Sequence, residues 1–268
     1  MSHADVSQGR GGHVSVRCLT SGVLHVGAVL VVGTVLAGCT GGGLSGERGS
    51  SGGGTSTRYE TSPLADPDGT KPGLAPISAE KDEATARALI SKVTTKGRGP
   101  KTGYDRDEFG YAWMDTADGV PLARNGCDTR NDLLKLHGRN VEFRTGSDCV
   151  VVSMDLYDPY TGKEIAWKKA KATEVQIDHV VPLSYAWQMG AARWSKEKRR
   201  QLANDVLNLL PVSGSTNSAK RDSGPASWLP SNKAIRCSYT VRFAQVAEKY
   251  ELPVTAPDKE MMLKQCGD

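Results

Sequence analysis

Apolar positions are spread unevenly over the 268 residues of this chain. A first run, residues 23–37, is apolar or small apart from His25 and shows no polar face. From Thr40 to about Ala75 periodicity gives way to Gly, Ser, Thr and Pro, the pattern of a flexible tether. Periodicity returns near Ser78, which places an ordered domain over residues 78–268. Ala84, Ala88, Leu89 and Val93 recur at helical spacing, with acids before them and Lys92 near the end, and predict a helix over 79–93. Asp128 or Thr129 is suited to cap a second helix. Strands are predicted at 141–143 and 149–156. A turn at Asp158-Pro159-Tyr160-Thr161-Gly162 then returns the chain through 164–167. Residues 175–180 form a further strand, stopped by Pro182. Helices over 183–189 and 195–206, a short strand at 209–212, a helix from Ser215 and an amphipathic helix over 241–250 complete the reading. Strands and helices are mixed, with no internal repeat, so the fold class is α+β.

Composition adds a compartment. The chain is 38% hydrophobic and 24% charged, with a formal net charge of +4 and a pI near 8.7, mildly basic and compatible with a polyanionic partner. Arg10 and Arg17 precede the 23–37 run, which has the length of a signal-peptide core and is short for a membrane span. The run ends Leu36-Ala37-Gly38-Cys39, which resembles the lipobox of bacterial lipoproteins. That resemblance implies a leader over 1–38, acylation of Cys39, a tether over 39–77, and a domain held at the outer face of the membrane or secreted. Of the six cysteines, Cys18 lies in the leader, and Cys127, Cys149, Cys237 and Cys266 remain as an even set suited to an oxidising compartment. The local pairings Cys127–Cys149 and Cys237–Cys266 are favoured among three connectivities. A four-thiolate zinc site is the competing arrangement, although no C-x-x-C pair is present.

The chemistry concentrates between Ile177 and Asp222. Beyond the leader only His137 and His179 remain, so counting excludes a multi-histidine zinc site. His137 follows a helix and suits a capping or surface role. His179 ends a strand with Asp178 before it, and alternation sends these two side chains to opposite sides unless the backbone bends. Asn208 and Asn217 follow, and Lys220 and Arg221 lie about one helical turn beyond Asn217. Phosphodiester hydrolysis needs a base for water, a cation near the phosphate oxygens, and groups that hold both. His179 suits the base, Asp178 and Asn217 offer oxygens to a hard dication, and Asn208 suits pinning the loop that carries His179. Lys220 and Arg221 are placed to meet phosphate. Lys163, Lys168, Lys169 and Lys171 precede the site, and Arg193, Lys196, Lys198, Arg199 and Arg200 lie within the insertion. They suit gripping backbone phosphate, and the second cluster suits a solvated helix face equally.

The Asp178-His179 pair, Asn208 and Asn217 resemble the HNH endonucleases. The insertion between the strands, Asn217-Ser218-Ala219-Lys220 and Trp228-Leu229-Pro230 resemble their exported actinobacterial branch, related to the DUF1524 group. The resemblance spans about residues 85–266. It implies a ββα-metal (His-Me finger) core with a helical insertion and accessory helices and strands. It further implies a Mg²⁺- or Mn²⁺-dependent endonuclease with His179 as base, Asp178 and Asn217 as metal ligands and Asn208 as the loop's anchor. The implied partner is nucleic acid, DNA foremost, with little sequence preference expected. Asp128 and Arg130 suit either phosphate contacts or a helix cap with an ion pair. A non-catalytic nucleic-acid or cell-wall binding lipoprotein on a nuclease-like scaffold, and a different hydrolase built on His137, are the alternatives. No protein partner or oligomeric state is implied.

Overall fold

A computed structural model describes residues 60–267. The leader, Cys39 and most of the expected tether lie outside the described residues. Within them no helix is long and apolar enough to cross a membrane.

Seven α-helices and five strands are present among the described residues. Helix α1 (Glu80–Lys92) carries three acids in its first turn and Lys92 in its last, which complements the helix dipole. Helix α2 (Thr129–His137) is capped by Asp128, whose carboxylate accepts from the Asn131 amide at 2.9 Å. Strands β1 (Arg139–Phe143), β2 (Val151–Asp158) and β3 (Lys163–Lys168) form an antiparallel sheet in that order. Strands β4 (Val175–His179) and β5 (Leu209–Ser213) pair antiparallel, in register from Val175↔Ser213 to His179↔Leu209. Between them stand α3 (Leu183–Met189) and α4 (Lys196–Asn204), the helical insertion. Helix α5 (Gly214–Lys220) follows β5 directly, then α6 (Arg236–Lys249) and α7 (Ala256–Lys264).

Two apolar clusters hold these elements. The larger gathers α1, α3, α6 and α7, and includes Ile90, Tyr185, Phe243 and Met262. The smaller lies between α2, β2, β3 and the β4–β5 pair, with Leu133, Met154, Trp167, Val175 and Ile177. Val175 and Ile177 alternate with Gln176 and Asp178, so β4 gives one face to this cluster and the other to α5. Cys127 pairs with Cys149 and Cys237 with Cys266, closing loops of 22 and 29 residues. Loops of this size restrict the unfolded chain by about 3–4 kcal/mol each in the chain-entropy account.

The ordered body begins earlier than the composition predicts. Residues 60–77, expected to be the end of a flexible tether, form a strap packed on the domain. Pro63–Ala65 is a turn of 3-10 helix, and Leu74 and Ile77 are buried. Asp66 forms a buried ion pair with Arg242 of α6 at 2.7 Å, Gln245 donates to Pro63 O at 2.7 Å, and Ser238 donates to Ala75 O at 2.6 Å. Gly69 has a φ of +75°, and a Cβ there would lie 2.5 Å from Leu207 Cα. The strap thus requires glycine both for conformation and for close approach. Two helical readings also change. Helix α6 begins at Arg236, five residues before the predicted start at 241, because it is buried almost all round and shows no single apolar stripe. Helix α7 had no predicted counterpart.

His137 ties α2 to the strap. Its Nδ1 accepts from the Gly73 amide at 3.0 Å, and its Nε2 is enclosed without a protein partner. Burial, aided by the Arg242 guanidinium, pushes its pKa down to about 3. The unfolded chain therefore takes up a proton here below about pH 6.5 while the folded protein does not, so stability is lost as pH falls from that value toward 3. Urea denaturation at pH 7 and pH 5 checks this: His137→Gln should lose less stability between the two, by on the order of 2 kcal/mol relative to wild type.

Candidate active site

An open cleft of about 460 Å³ crosses the end of the β4–β5 pair. Asp178, His179, Asn217 and Arg221 line it, together with Lys101 and Arg106 from the loop after α1. Strand β4 runs straight through His179, so Asp178 and His179 leave the backbone on opposite sides. Asp178 turns toward α5, His179 toward the loop around Trp113, and the cleft passes over the strand end between them.

His179 is held by the insertion. Its Nε2 lies 3.0 Å from Ala203 O, in the last turn of α4. A carbonyl only accepts, so Nε2 carries the proton and Nδ1, which has no partner within the protein, carries the free lone pair. The ring is nearly parallel to Trp113, with centroids 6.1 Å apart and a 15° tilt. Burial, reinforced by the Arg106 guanidinium, pushes its pKa down to about 3, so the imidazole is neutral.

Asn208 is fully buried where β5 begins. Its Oδ1 accepts from the Val181 amide at 2.8 Å, and its Nδ2 donates to Val181 O at 3.3 Å and Leu202 O at 3.2 Å. One amide side chain thereby fixes the backbone two residues past His179 to the end of α4.

Asp178 sits in a buried network. Lys220 Nζ donates to both of its oxygens, at 2.9 and 2.7 Å, and to His179 O at 2.6 Å. Tyr160 donates its hydroxyl to Asp178 Oδ2 at 2.5 Å. Burial pushes the Asp178 carboxyl up and the Lys220 ammonium down, and their mutual attraction opposes both shifts. Three donors on a carboxylate with about four acceptor sites leave one site open, on Oδ1. Asn217 donates Nδ2 to Gln176 Oε1 at 2.9 Å, which leaves its carbonyl oxygen available. Helix α5 reaches β4 this closely because Gly214 starts it: a Cβ there would stand 2.0 Å from Thr173 O.

Two expected substrate contacts are placed differently. Lys220 does not face phosphate; it is wholly buried, because the helix face it shares with Asn217 is turned onto β4. Arg130 does not reach this cleft. Its Nη2 donates to Val175 O at 3.0 Å, and it lines a separate cavity. In the second basic cluster, Arg199 is buried and pairs with Glu108 at 2.7 Å, so its role is to hold the turn that presents Arg106. Arg106 and Arg221 are exposed, line the cleft and enter no ion pair among the described residues, whereas Arg98 and Lys101 face Asp222 at 3.5 Å. Sequence reasoning missed Tyr160, Ala203, Trp113 and Arg106.

Among the described residues no group of three or more His, Cys, Asp and Glu is placed to hold a metal ion. One open site on Asp178 and the Asn217 carbonyl nevertheless suit Mg²⁺, which keeps several waters and commonly takes one or two protein oxygens plus substrate phosphate. Lys220 already neutralises Asp178, so the fit is to an ion held jointly with substrate.

A family model described as GmrSD restriction endonucleases, C-terminal domain, matches residues 128–265, which span α2 to α7 and include Tyr160, Asp178, His179, Ala203, Asn208, Asn217 and Lys220. The chain belongs to this family. It is an HNH-type nuclease domain family. A curated relative from Arthroderma benhamiae, named an uncharacterized secreted protein, is 38% identical over 181 residues, covering 67% of this chain and 82% of its own length. No solved structure matches.

The buried pair generates a stability prediction. Lys220→Met leaves Asp178 charged and unpaired and should cost about 3–5 kcal/mol. The Asp178→Asn/Lys220→Met double variant should be less destabilised than the sum of the two singles, as read by urea denaturation.

Proposed function

We propose that this chain is a divalent-metal-dependent HNH endonuclease, built on a ββα-metal core of β4, β5 and α5, that hydrolyses phosphodiester bonds of nucleic acid outside the cytoplasm. DNA is the first substrate to test, and little sequence preference is expected. Membership of an HNH-type nuclease family supports the reaction class. The observation that carries the reading is His179: its Nε2–H is committed to Ala203 O, so Nδ1 is the basic atom beside a cleft with two unpaired guanidinia.

His179 Nδ1 takes a proton from water as the water oxygen bonds to phosphorus. The bond from phosphorus to the 3′ oxygen breaks in line, and that oxygen leaves as a hydroxyl after taking a proton from solvent. The product strand keeps a 5′ phosphate. Arg106 and Arg221 bind and orient the phosphate as charge-assisted donors. Asn208 holds the His179 backbone, and the Ala203 carbonyl keeps the imidazole in its tautomer. A dication held by Asp178 Oδ1 and the Asn217 carbonyl would supply neutralisation of charge on the phosphate and the departing oxygen.

The two disulfides and the secreted description of the relative support an extracytoplasmic setting. Cys39 as a lipid anchor belongs to the same proposal and rests on the Leu36-Ala37-Gly38-Cys39 sequence.

Supercoiled plasmid and RNA, incubated with the purified protein with and without Mg²⁺, test the reading. Wild type should nick or degrade DNA only with the cation. His179→Ala should lose on the order of 10²–10⁴ in rate with its circular dichroism unchanged. Asn217→Ala should raise the Mg²⁺ concentration needed for half-maximal rate. Near wild-type turnover by a cleanly purified His179→Ala protein would overturn the assignment.

A further inference from the structure

A second cavity, of about 300 Å³, opens beside the cleft between the loop around Trp113 and the start of α2. Trp113 and Trp167 contribute aromatic walls, Leu134 an apolar one, and Arg130 and Lys169 positive charge. Trp113 joins it to the catalytic side, because it also lines a small recess with His179 and Arg106 and lies parallel to the His179 ring.

Resting on the nuclease reading, we propose that this cavity is a nucleobase subsite: it receives an unstacked base of the strand whose phosphate lies at His179. Three independent features carry this. Trp113 is only partly buried and has a φ of +62°, an unusual conformation for a bulky residue. That conformation is fixed from outside the loop. Thr129 donates its amide to Trp113 O at 3.4 Å, and Asn204 Oδ1 accepts from the Met114 amide at 2.8 Å. A strained, over-determined aromatic packed against His179 has the character of a contact surface.

The walls match a base on a charged chain. Arg130 sits 6.0 Å from the centre of the Trp167 ring, with its Nη2 committed to backbone carbonyls. The guanidinium is therefore a fixed plane. Trp167 is itself buried, and its indole N–H has no acceptor in the protein. Lys169 is exposed and enters no ion pair, in contrast to Lys171, which meets Glu174 at 3.2 Å. Aromatic faces take any base by stacking, and the cations beside them hold its backbone.

The geometry also selects a form of substrate. A base inside a duplex presents no free face to Trp113, so a strand must be single or locally unpaired where it enters. Single-stranded nucleic acid is therefore the preferred substrate, with base identity read weakly.

Full-length protein with His179 intact, kept free of divalent cation so that cleavage should not occur, allows the test by fluorescence anisotropy. The probes are a short labelled single strand, an abasic strand of equal length with the same phosphates, and the matching duplex. The base-bearing strand should bind at least about tenfold tighter than the abasic one, and tighter than the duplex. Trp113→Ala should bring its affinity to the abasic level while leaving abasic binding unchanged, and Trp113→Phe should retain most of the preference. Trp113→Leu, which keeps apolar volume without a ring, replaces the alanine variant if that one unfolds. Equal affinity for base-bearing and abasic strands, or an unchanged ratio in the Trp113 variants, would overturn the subsite while leaving cleavage by wild type intact. Failure of every strand to bind, together with absent cleavage by wild type, would overturn both the subsite and the nuclease reading.

Discussion

Helix α4 ends with carbonyls that no helical amide can reach, and the site is assembled on them. Leu202 O accepts from Asn208 and Ala203 O from His179, while the Asn204 side chain fixes the loop of Trp113. Three consecutive residues thus set the imidazole, the backbone beyond it and the aromatic surface against it. Helix ends usually leave such groups to water. Here they face the interior, where an unmade hydrogen bond is expensive, so the orientation of each partner is enforced. The insertion between β4 and β5 is therefore part of the framework that holds the candidate site and not a decoration of it.

The second constraint is electrostatic. Asp178, Lys220 and Tyr160 form a closed network in which every Lys220 contact falls on β4. A buried pair of this kind adds little net stability, since removing both charges from water offsets their attraction. What it contributes is register. The ammonium joins a side-chain carboxylate to the next residue's carbonyl, so α5 cannot slide along the strand without leaving a charge unpaired. The free cations of the cleft, Arg106 and Arg221, stand outside this neutral core and carry the field a phosphate meets.

Much of this was legible in the chain. The β4 and β5 strands and the insertion helices follow from the apolar pattern and from Pro182, and of three possible disulfide connectivities the favoured local one is present. The placement of Lys220 was not. Spacing puts it on one helix face with Asn217, but whether that face meets solvent or a strand is decided by tertiary packing. The same limit hid Tyr160, eighteen residues from Asp178 on a different sheet connection, and the strap, whose Asp66 finds Arg242 176 residues away. Helix α7 escaped notice because Met261, Met262 and Leu263 are contiguous and give no periodic stripe, although Thr255 and Pro257 mark its start.

The strap has a mechanical meaning. Its anchors, Asp66 on Arg242 and Pro63 O on Gln245, both lie on α6, the longest helix among the described residues and one buried nearly throughout. Tension arriving along the backbone from residue 60 would load these contacts in shear and pass into the large apolar cluster. That cluster includes Leu210 and Val212 of β5, so a pull on the strap is shared between the long helix and the hairpin that bears His179.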